Sequence, residues 1–289
     1  MNSIELQFVS GNVFFMGLGM VVAASTLHHR RNGIFLRILL TIISLVGIAL
    51  VILSATPLPL WLYGLWVGLC VADLIVNNIK SSSDSLPRYR RVLFGAIVVA
   101  SLILMLVELP HHLTPNISVS SKRPIYVVGD SISAGIGAER KPWPIVLGDL
   151  AHVKVTNLAR PGATVQTAFT QTTGIPDHGC FVIVEIGGND MISGTDSRAF
   201  YDQLDQLLDK LCSGDNQVIM LEIPLFPFRN SFGSTQRTLA KKHGVTLLPK
   251  KFFTNVFGTP DALLGDDLHF AQVGHDAMAH QIYAALSFE

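Results

Sequence analysis

Long runs of hydrophobic residues dominate the first third of the chain. Each run is close to the ~20 residues that a helix needs to cross a bilayer. They cover residues 8–27, 34–54, 58–76 and 92–109. Because almost no polar face interrupts them, membrane spans are favoured over buried core helices. The pattern predicts a membrane region over residues 1–109 with four transmembrane helices. In the first of them, Gly19 and Ala23 form a candidate face for close packing against another helix.

The pattern changes after residues 110–121, which have no periodicity and predict a linker. From there to the last residue, short apolar runs alternate with amphipathic stretches. The strand candidates are 125–128, 153–157, 181–186, 218–223 and 245–248, and the clearest helices are 197–211 and 273–286. Alternating strands and helices predict an α/β domain over 122–289, with a parallel sheet covered on both faces.

Charge is distributed in the same two parts. The chain has 289 residues, of which 49% are hydrophobic and only 15% are charged. Residues 1–121 contain 7 Lys/Arg and 4 Asp/Glu, whereas residues 122–289 contain 14 and 17. The near-neutral balance gives no basic surface for nucleic acid, so we expect no nucleic-acid partner.

The basic residues before position 122 fall between predicted spans one and two or between spans three and four. They are Arg30, Arg31, Arg37, Lys80, Arg88, Arg90 and Arg91. The positive-inside rule places both loops in the cytoplasm. The N-terminus, the 55–57 connection and everything after residue 109 are then outside. We expect a multi-pass protein of a bacterial inner membrane, with its α/β domain on the periplasmic side.

No pattern indicates a metal or a cofactor. The three cysteines, Cys70, Cys180 and Cys212, form no cluster with metal-ligand spacing. No phosphate-binding or dinucleotide-binding glycine motif is present. Cys180 and Cys212 each precede one of two adjacent strand candidates, and an outside location permits a disulfide between them. Two separate thiols fit the sequence equally well.

Four segments with candidate catalytic residues follow strand candidates. They lie at the carboxyl edge of a parallel sheet, where functional residues are usually found. They are "GDS" (129–131), "NLARPGATV" (157–165), "IGGND" (186–190) and "LGDDLHFAQVGH" (264–275). Gly-Asp-Ser alone is typical of a turn. Together the segments supply a Ser, a Gly, an Asn and an Asp three residues before a His. These are the groups that acyl transfer needs: a nucleophile, an oriented base and donors for an oxyanion.

In this order, the four segments resemble the signature blocks of the SGNH (GDSL-type) hydrolases, and the resemblance extends over residues 124–286. It is closest to the bacterial branch with esterase, thioesterase and lysophospholipase activities. The resemblance implies a flavodoxin-like parallel five-stranded sheet. It also implies that Ser131 is the nucleophile, His269 its base and Asp266 the orienting carboxylate. The family spacing Asp-x-x-His selects Asp266 over Asp267.

The resemblance further implies an oxyanion hole made by the N–H groups of Ser131 and Gly162 and the side chain of Asn189. Two other carboxyl groups lie nearby in sequence. We interpret Asp130 as a structural hydrogen-bonding residue of the turn and Glu185 as a satisfied structural carboxylate.

These features predict a membrane-anchored serine esterase that hydrolyses acyl esters of lipids or lipid-linked envelope molecules.

The segment "PLFPFRNSF" contains three candidates for an acyl pocket or a membrane-facing lip, Phe226, Phe228 and Phe232. We expect at least two of them to line the cleft near Ser131 or to face the bilayer. Two alternatives stay open. One is an O-acetyltransferase or deacetylase acting on envelope glycans. The other is a receptor or subunit of a membrane complex whose helices bind a partner.

Overall fold

The computed structural model describes residues 3–28, 33–79 and 86–289. The chain divides into two compact units. A helical unit comprises Gln7–Pro110 and Phe226–Asn230. An α/β unit comprises His111–Leu225 and Ser231–Glu289, together with the start of the chain through Leu6.

The helical unit is built from apolar helices. They are α1 (Ser3–Ser10), α2 (Asn12–His28), α3 (Ile34–Leu53), α4 (Leu60–Asn78) and α5 (Leu86–Glu108). Within the described residues, three helices are long and apolar enough to cross a membrane, and a fourth if the bent pair α1–α2 is one span. The helices therefore agree with about three or four of the predicted spans.

The first predicted span is not one continuous helix. α1 and α2 meet at 91°. Gly11 at the break has φ +80°, a left-handed conformation that an α-helix cannot include. The predicted start at residue 8 is therefore wrong for the straight helix, which begins at Asn12.

Small residues bring α2 and α3 together, although not at the predicted positions. A Cβ on Gly17 would lie 2.5 Å from the carbonyl oxygen of Gly47, so only glycine permits this approach. A Cβ on Gly19 would meet nothing within 4 Å. Two residues along a helix is roughly half a turn, so the predicted face at Gly19 points away from this contact.

Basic side chains gather at one end of the helical unit. Arg37 donates to the carbonyl oxygen of Asn77 (2.8 Å), and Arg90 donates to that of Val76 (3.1 Å). Both carbonyls belong to the C-terminal turn of α4, where cations are favourable. Three of the basic residues used for the predicted orientation, Arg30, Arg31 and Lys80, lie outside the described residues.

The α/β unit alternates strands with helices. The strands are β1 (Ile117–Val119), β2 (Ile125–Gly129), β3 (Val155–Asn157), β4 (Phe181–Glu185), β5 (Gln217–Leu221), β6 (Thr246–Leu248) and β7 (Leu286–Phe288). The helices are α6 (Ser131–Ala134), α7 (Trp143–Ala151), α8 (Val165–Ala168), α9 (Gly188–Ser193), α10 (Ser197–Leu211), α11 (Asn230–His243), α12 (Lys251–Phe257) and α13 (Gln272–Ala285). Short 3-10 turns cover Leu109–His112 and Phe169–Gly174.

Five parallel strands in the order β3-β2-β4-β5-β6 form the central sheet, as predicted. Every residue of β4 is buried, because helices cover both faces of a parallel sheet. β2 connects to β3 on one side, and the chain then crosses to β4 on the other side. This reversal opens a crevice at the carboxyl ends of β2 and β4.

The predicted linker is partly ordered and belongs in large part to the α/β unit. Strand β1 within it pairs in parallel with β7, so that Ile117 lies opposite Leu286 and Val119 opposite Phe288. The unit boundary lies between Pro110 and His111 rather than after residue 121. The pairing joins segments at opposite ends of the α/β unit, so local periodicity did not indicate it.

Candidate active site

Ser131 begins α6, and only Asp130 separates it from the end of β2. Its preceding residue, Asp130, caps this helix by accepting the N–H of Ile132 at 2.9 Å. The Gln171 side chain binds both backbone groups of Gly129, at 3.0 and 2.9 Å. A Cβ on Gly129 would lie 2.8 Å from the hydroxyl oxygen of Ser133, so glycine is required there. The turn that presents Ser131 is therefore fixed on both sides.

The structure brings Ser131, His269 and Asp266 into one line of hydrogen bonds. His269 Nε2 lies 3.0 Å from Ser131 Oγ, and His269 Nδ1 lies 2.5 Å from Asp266 Oδ2. The other oxygen of Asp266 accepts the backbone N–H groups of Leu268 (3.1 Å) and His269 (3.0 Å). The loop before α13 thus holds the imidazole against the serine.

The electrostatics of this line suit proton transfer from the serine. The side-chain hydrogen bond from His269, with two backbone N–H bonds, lowers the pKa of Asp266 to about 2. The carboxylate therefore stays ionised and keeps the proton of the imidazole on Nδ1. Nε2 is then left with a lone pair that can accept the hydroxyl proton of Ser131.

The predicted oxyanion donors lie in the segments that follow β2, β3 and β4. Gly162 is exposed and has φ +73°. Within the described part of the chain, the backbone N–H groups of Ser131 and Gly162 make no hydrogen bond to protein. Asn189 Nδ2 donates to the carbonyl oxygen of Ala163 (3.0 Å) and to Asp130 Oδ2 (3.2 Å). The three predicted donors thus follow neighbouring strands of the sheet, and their shared role stays a prediction.

The sequence did not reveal a buried group of carboxyls behind Ser131. Glu185, at the end of β4, accepts the hydroxyl of Ser133 at 2.7 Å and the N–H of Asp130 at 3.4 Å. Fifty-five positions separate Glu185 from Asp130 in the chain, and only the pairing of Gly129 with Glu185 across β2 and β4 indicates that they meet.

The aromatic candidates divide between the two units. Phe226 and Phe228 belong to the helical unit and are 51% and 77% exposed. Phe228 lines an apolar groove of about 420 Å³ with residues that include Ile52, Leu60 and Tyr63. Phe232 is buried, with its ring 4.6 Å from that of Phe200, so the idea that it forms part of a lip is wrong.

The three cysteines are free thiols, so the disulfide allowed by the sequence is not formed. Cys180 Sγ contacts the carbonyl oxygen of His178 at 3.5 Å. In the described residues, no group of three or more His, Cys, Asp or Glu side chains could hold a metal ion.

The chain is similar to known proteins in sequence and in fold. The model of the GDSL-like Lipase/Acylhydrolase family matches residues 127–277. Thioesterase 1/protease 1/lysophospholipase L1 of Escherichia coli (strain K12) is 27% identical over 155 residues, which are 50% of this chain and 74% of that protein. The crystal structure of TesA aligns with a TM-score of 0.51 and 22% identity, covering 56% of this chain and 97% of that one.

The crystal structure of the psychrotrophic esterase EstA from Pseudoalteromonas sp. aligns with a TM-score of 0.49 and 20% identity, covering 57% of this chain and 96% of that one. The family match alone spans more than half of the 289 residues and contains Ser131, Gly162, Asn189, Asp266 and His269. The chain therefore belongs to the GDSL-like lipase/acylhydrolase family and is a hydrolase of the SGNH type.

Proposed function

We propose that the chain is a membrane-anchored serine esterase that hydrolyses acyl esters of lipids or of lipid-linked envelope molecules. The observation that carries the proposal is the hydrogen-bonded line from Ser131 Oγ through His269 to Asp266. A hydroxyl, an imidazole and an ionised carboxylate in this order are the groups of a serine hydrolase triad.

The reaction proceeds by two acyl transfers. Ser131 Oγ attacks the ester carbonyl carbon while His269 Nε2 takes the hydroxyl proton. The N–H groups of Ser131 and Gly162 and the amide of Asn189 stabilise the negative oxygen that forms. The imidazolium then protonates the departing alcohol. In the second half, His269 activates water, which attacks the acyl-enzyme, releases the acid and restores Ser131.

Membrane anchoring is supported by the apolar helices and by where the chain enters and leaves them. The helical unit begins after Leu6 and ends at Pro110, and the residues on both sides belong to the α/β unit. A segment that starts and finishes on the same side of a bilayer crosses it an even number of times. This favours four crossings, with the bent α1–α2 pair as the first. Arg37 and Arg90, at one end of this unit, favour a cytoplasmic position for that end.

A lipid substrate is supported by the same location and by the exposed rings of Phe226 and Phe228. Both rings belong to the helical unit, although the residues follow β5 in sequence, whose carboxyl end lies at the edge of the sheet that carries Ser131. The E. coli relative has a name that includes thioesterase and lysophospholipase, which also favours acyl chains of some length.

The proposal is tested with the purified full chain in lipid nanodiscs. We expect hydrolysis of p-nitrophenyl and phospholipid esters, with loss of activity in Ser131→Ala and His269→Ala. Asp266→Asn should be less damaging than either, since it keeps both the nucleophile and a base, although the base is no longer correctly oriented. Far-UV circular dichroism checks that each variant is folded. An active Ser131→Ala enzyme would contradict the mechanism.

The products separate hydrolysis from transfer. We expect free fatty acid in stoichiometric yield, even when a glycan with free hydroxyl groups is added. Acyl transfer to those hydroxyl groups, or release of acetate from an O-acetylated glycan supplied as substrate, would instead support the alternative of an enzyme that modifies envelope glycans.

A further inference from the structure

The buried carboxyls behind Ser131 form a connected polar group that the triad does not use. Glu185 and Asp130 are 2% and 3% exposed. Glu185 Oε2 accepts the Ser133 hydroxyl (2.7 Å), and Ser133 Oγ in turn accepts the indole N–H of Trp143 at 3.2 Å. Burying two acids is costly compared with neutral side chains, so their presence beside a nucleophile suggests a use in the reaction.

Glu185 Oε2 lies 3.4 Å from the backbone nitrogen of Asp130. Two carboxyl groups buried this close together disfavour a second negative charge, so the neutral form of one of them is favoured. Burial raises the pKa of Glu185 well above its usual range and that of Asp130 to about 6. Asp190 also raises the pKa of Asp130, whereas His269 lowers it. Of the two acids, Glu185 is the one whose neutral form burial favours more strongly.

The Asp130 carboxylate reaches the predicted oxyanion donors. Its Oδ1 accepts the N–H of Ile132, in the turn that carries Ser131, and its Oδ2 accepts one N–H of Asn189 at 3.2 Å. The Asn189 amide also donates to Ala163, the neighbour of Gly162, at 3.0 Å. The contact with Asp130 is the longer one, so it is the one that a developing oxyanion can share.

We propose that Glu185 and Asp130 are positioning residues for the oxyanion site: neutral Glu185 holds the Asp130 carboxylate, which orients the amide of Asn189. Neither residue touches substrate. The inference rests on the proposed function, since it takes Asn189 to be an oxyanion donor. It predicts that the effect of Asp130 on the reaction passes through Asn189.

A double-mutant cycle of Asp130→Asn and Asn189→Ala tests this coupling with p-nitrophenyl acetate as substrate. In Asp130→Asn, the new amide turns an N–H group toward Asn189 or Ile132, so Asn189 loses its acceptor or the turn loses its cap. Because one oxyanion donor is worth about 10²–10³ in kcat, we expect Asp130→Asn to lower kcat by about 10- to 100-fold with KM little changed. In the Asn189→Ala background, the same substitution should cost less than about 3-fold.

The protonation of Glu185 is tested by a pair of substitutions. Glu185→Gln keeps a neutral donor for Asp130 and an acceptor for Ser133, so kcat should stay within about 3-fold of the wild type, whereas Glu185→Leu should lose activity as Asp130→Asn does. Glu222→Gln is the matched control, because Glu222 is equally buried but pairs with Arg237 (2.6 Å). That control should lower the thermal stability and leave kcat unchanged.

The outcomes separate this inference from the proposed function. If the folded wild type hydrolyses no ester, the proposed function and the positioning pair fail together. If the wild type is active but Asp130→Asn costs the same factor in both backgrounds, the coupling through Asn189 is absent and only the inference fails. Equal loss of kcat in Glu185→Gln and Glu185→Leu would likewise overturn the role of a neutral Glu185.

Discussion

Two carboxyl groups of the α/β unit differ in ionisation because their surroundings differ. Asp266 lies in a partly exposed loop and accepts hydrogen bonds from His269 and two backbone N–H groups, which hold its pKa at about 2. Glu185 is buried and faces another acid, so its pKa is raised well above the usual range. The surroundings of the first favour its charged form, as a partner of imidazolium needs, and those of the second favour its neutral form.

Glu185→Gln should stabilise the protein at neutral and alkaline pH. The raised pKa means that the unfolded chain ionises Glu185 more readily than the folded one. This group therefore costs stability as pH rises above ~4.3, by up to ~1.4 kcal/mol per pH unit until the folded pKa is reached. Glutamine removes that cost. In thermal unfolding, we expect the Tm of Glu185→Gln to exceed that of the wild type at pH 8. At pH 4, we expect the two Tm values to be nearly equal. A difference that does not change with pH would contradict the neutral state.

Sequence patterns predicted the residues whose chemistry is local and missed those whose role depends on pairing. Asp266 and His269 are three positions apart, and Ser131 follows a clear strand, so each could be proposed from its own segment. The partnership of Asp130 and Glu185 depends on the register of β2 against β4, in which Gly129 lies opposite Glu185. No pattern in either segment alone encodes that register.

At the scale of elements, strongly periodic segments were predicted well, and strands that form only by pairing with a distant segment were not. The helix predicted over 197–211 is observed as α10 with the same bounds, because its apolar positions recur on one face. Strands β1 and β7 have three residues each and form only through their mutual pairing, so they escaped detection. The bend at Gly11 was missed because a hydropathy pattern carries no information about φ.

The segment Phe226–Asn230 provides a test of substrate class. If Phe226 and Phe228 contact an acyl chain or the lipid surface, replacing both with serine should lower kcat/KM for long-chain esters by about 10- to 100-fold, from the apolar area lost. Activity on acetyl esters should change little. Tyr283→Ser, at another exposed aromatic ring, is the control. Equal loss on long and short esters would contradict the proposed role.

At the scale of the whole chain, the division into an apolar helical unit and an α/β unit follows from composition and periodicity. Its boundary at residue 110 does not, because β1 binds a strand from the end of the chain. The proposed topology places an even number of crossings between Leu6 and His111. It also predicts a cytoplasmic position for Arg37 and Arg90.

Reporter fusions expressed in E. coli test this topology. Alkaline phosphatase, which is active only outside the cytoplasm, should be active when fused after Glu289 or at Thr56 and inactive when fused at Lys80. Green fluorescent protein should give the opposite pattern. Phosphatase activity at Lys80 together with none after Glu289 would reverse the orientation and place Ser131 in the cytoplasm.

The nucleophile is tested most directly by covalent labelling of the purified full chain with a fluorophosphonate, followed by peptide mass spectrometry. Fragment ions must separate Ser131 from Ser133, which lies two residues further along the same helix. We expect one phosphonyl group per chain, on Ser131, with labelling abolished in Ser131→Ala and greatly slowed in His269→Ala. Labelling at another residue, or labelling that persists in Ser131→Ala, would contradict the assignment of Ser131 as the nucleophile.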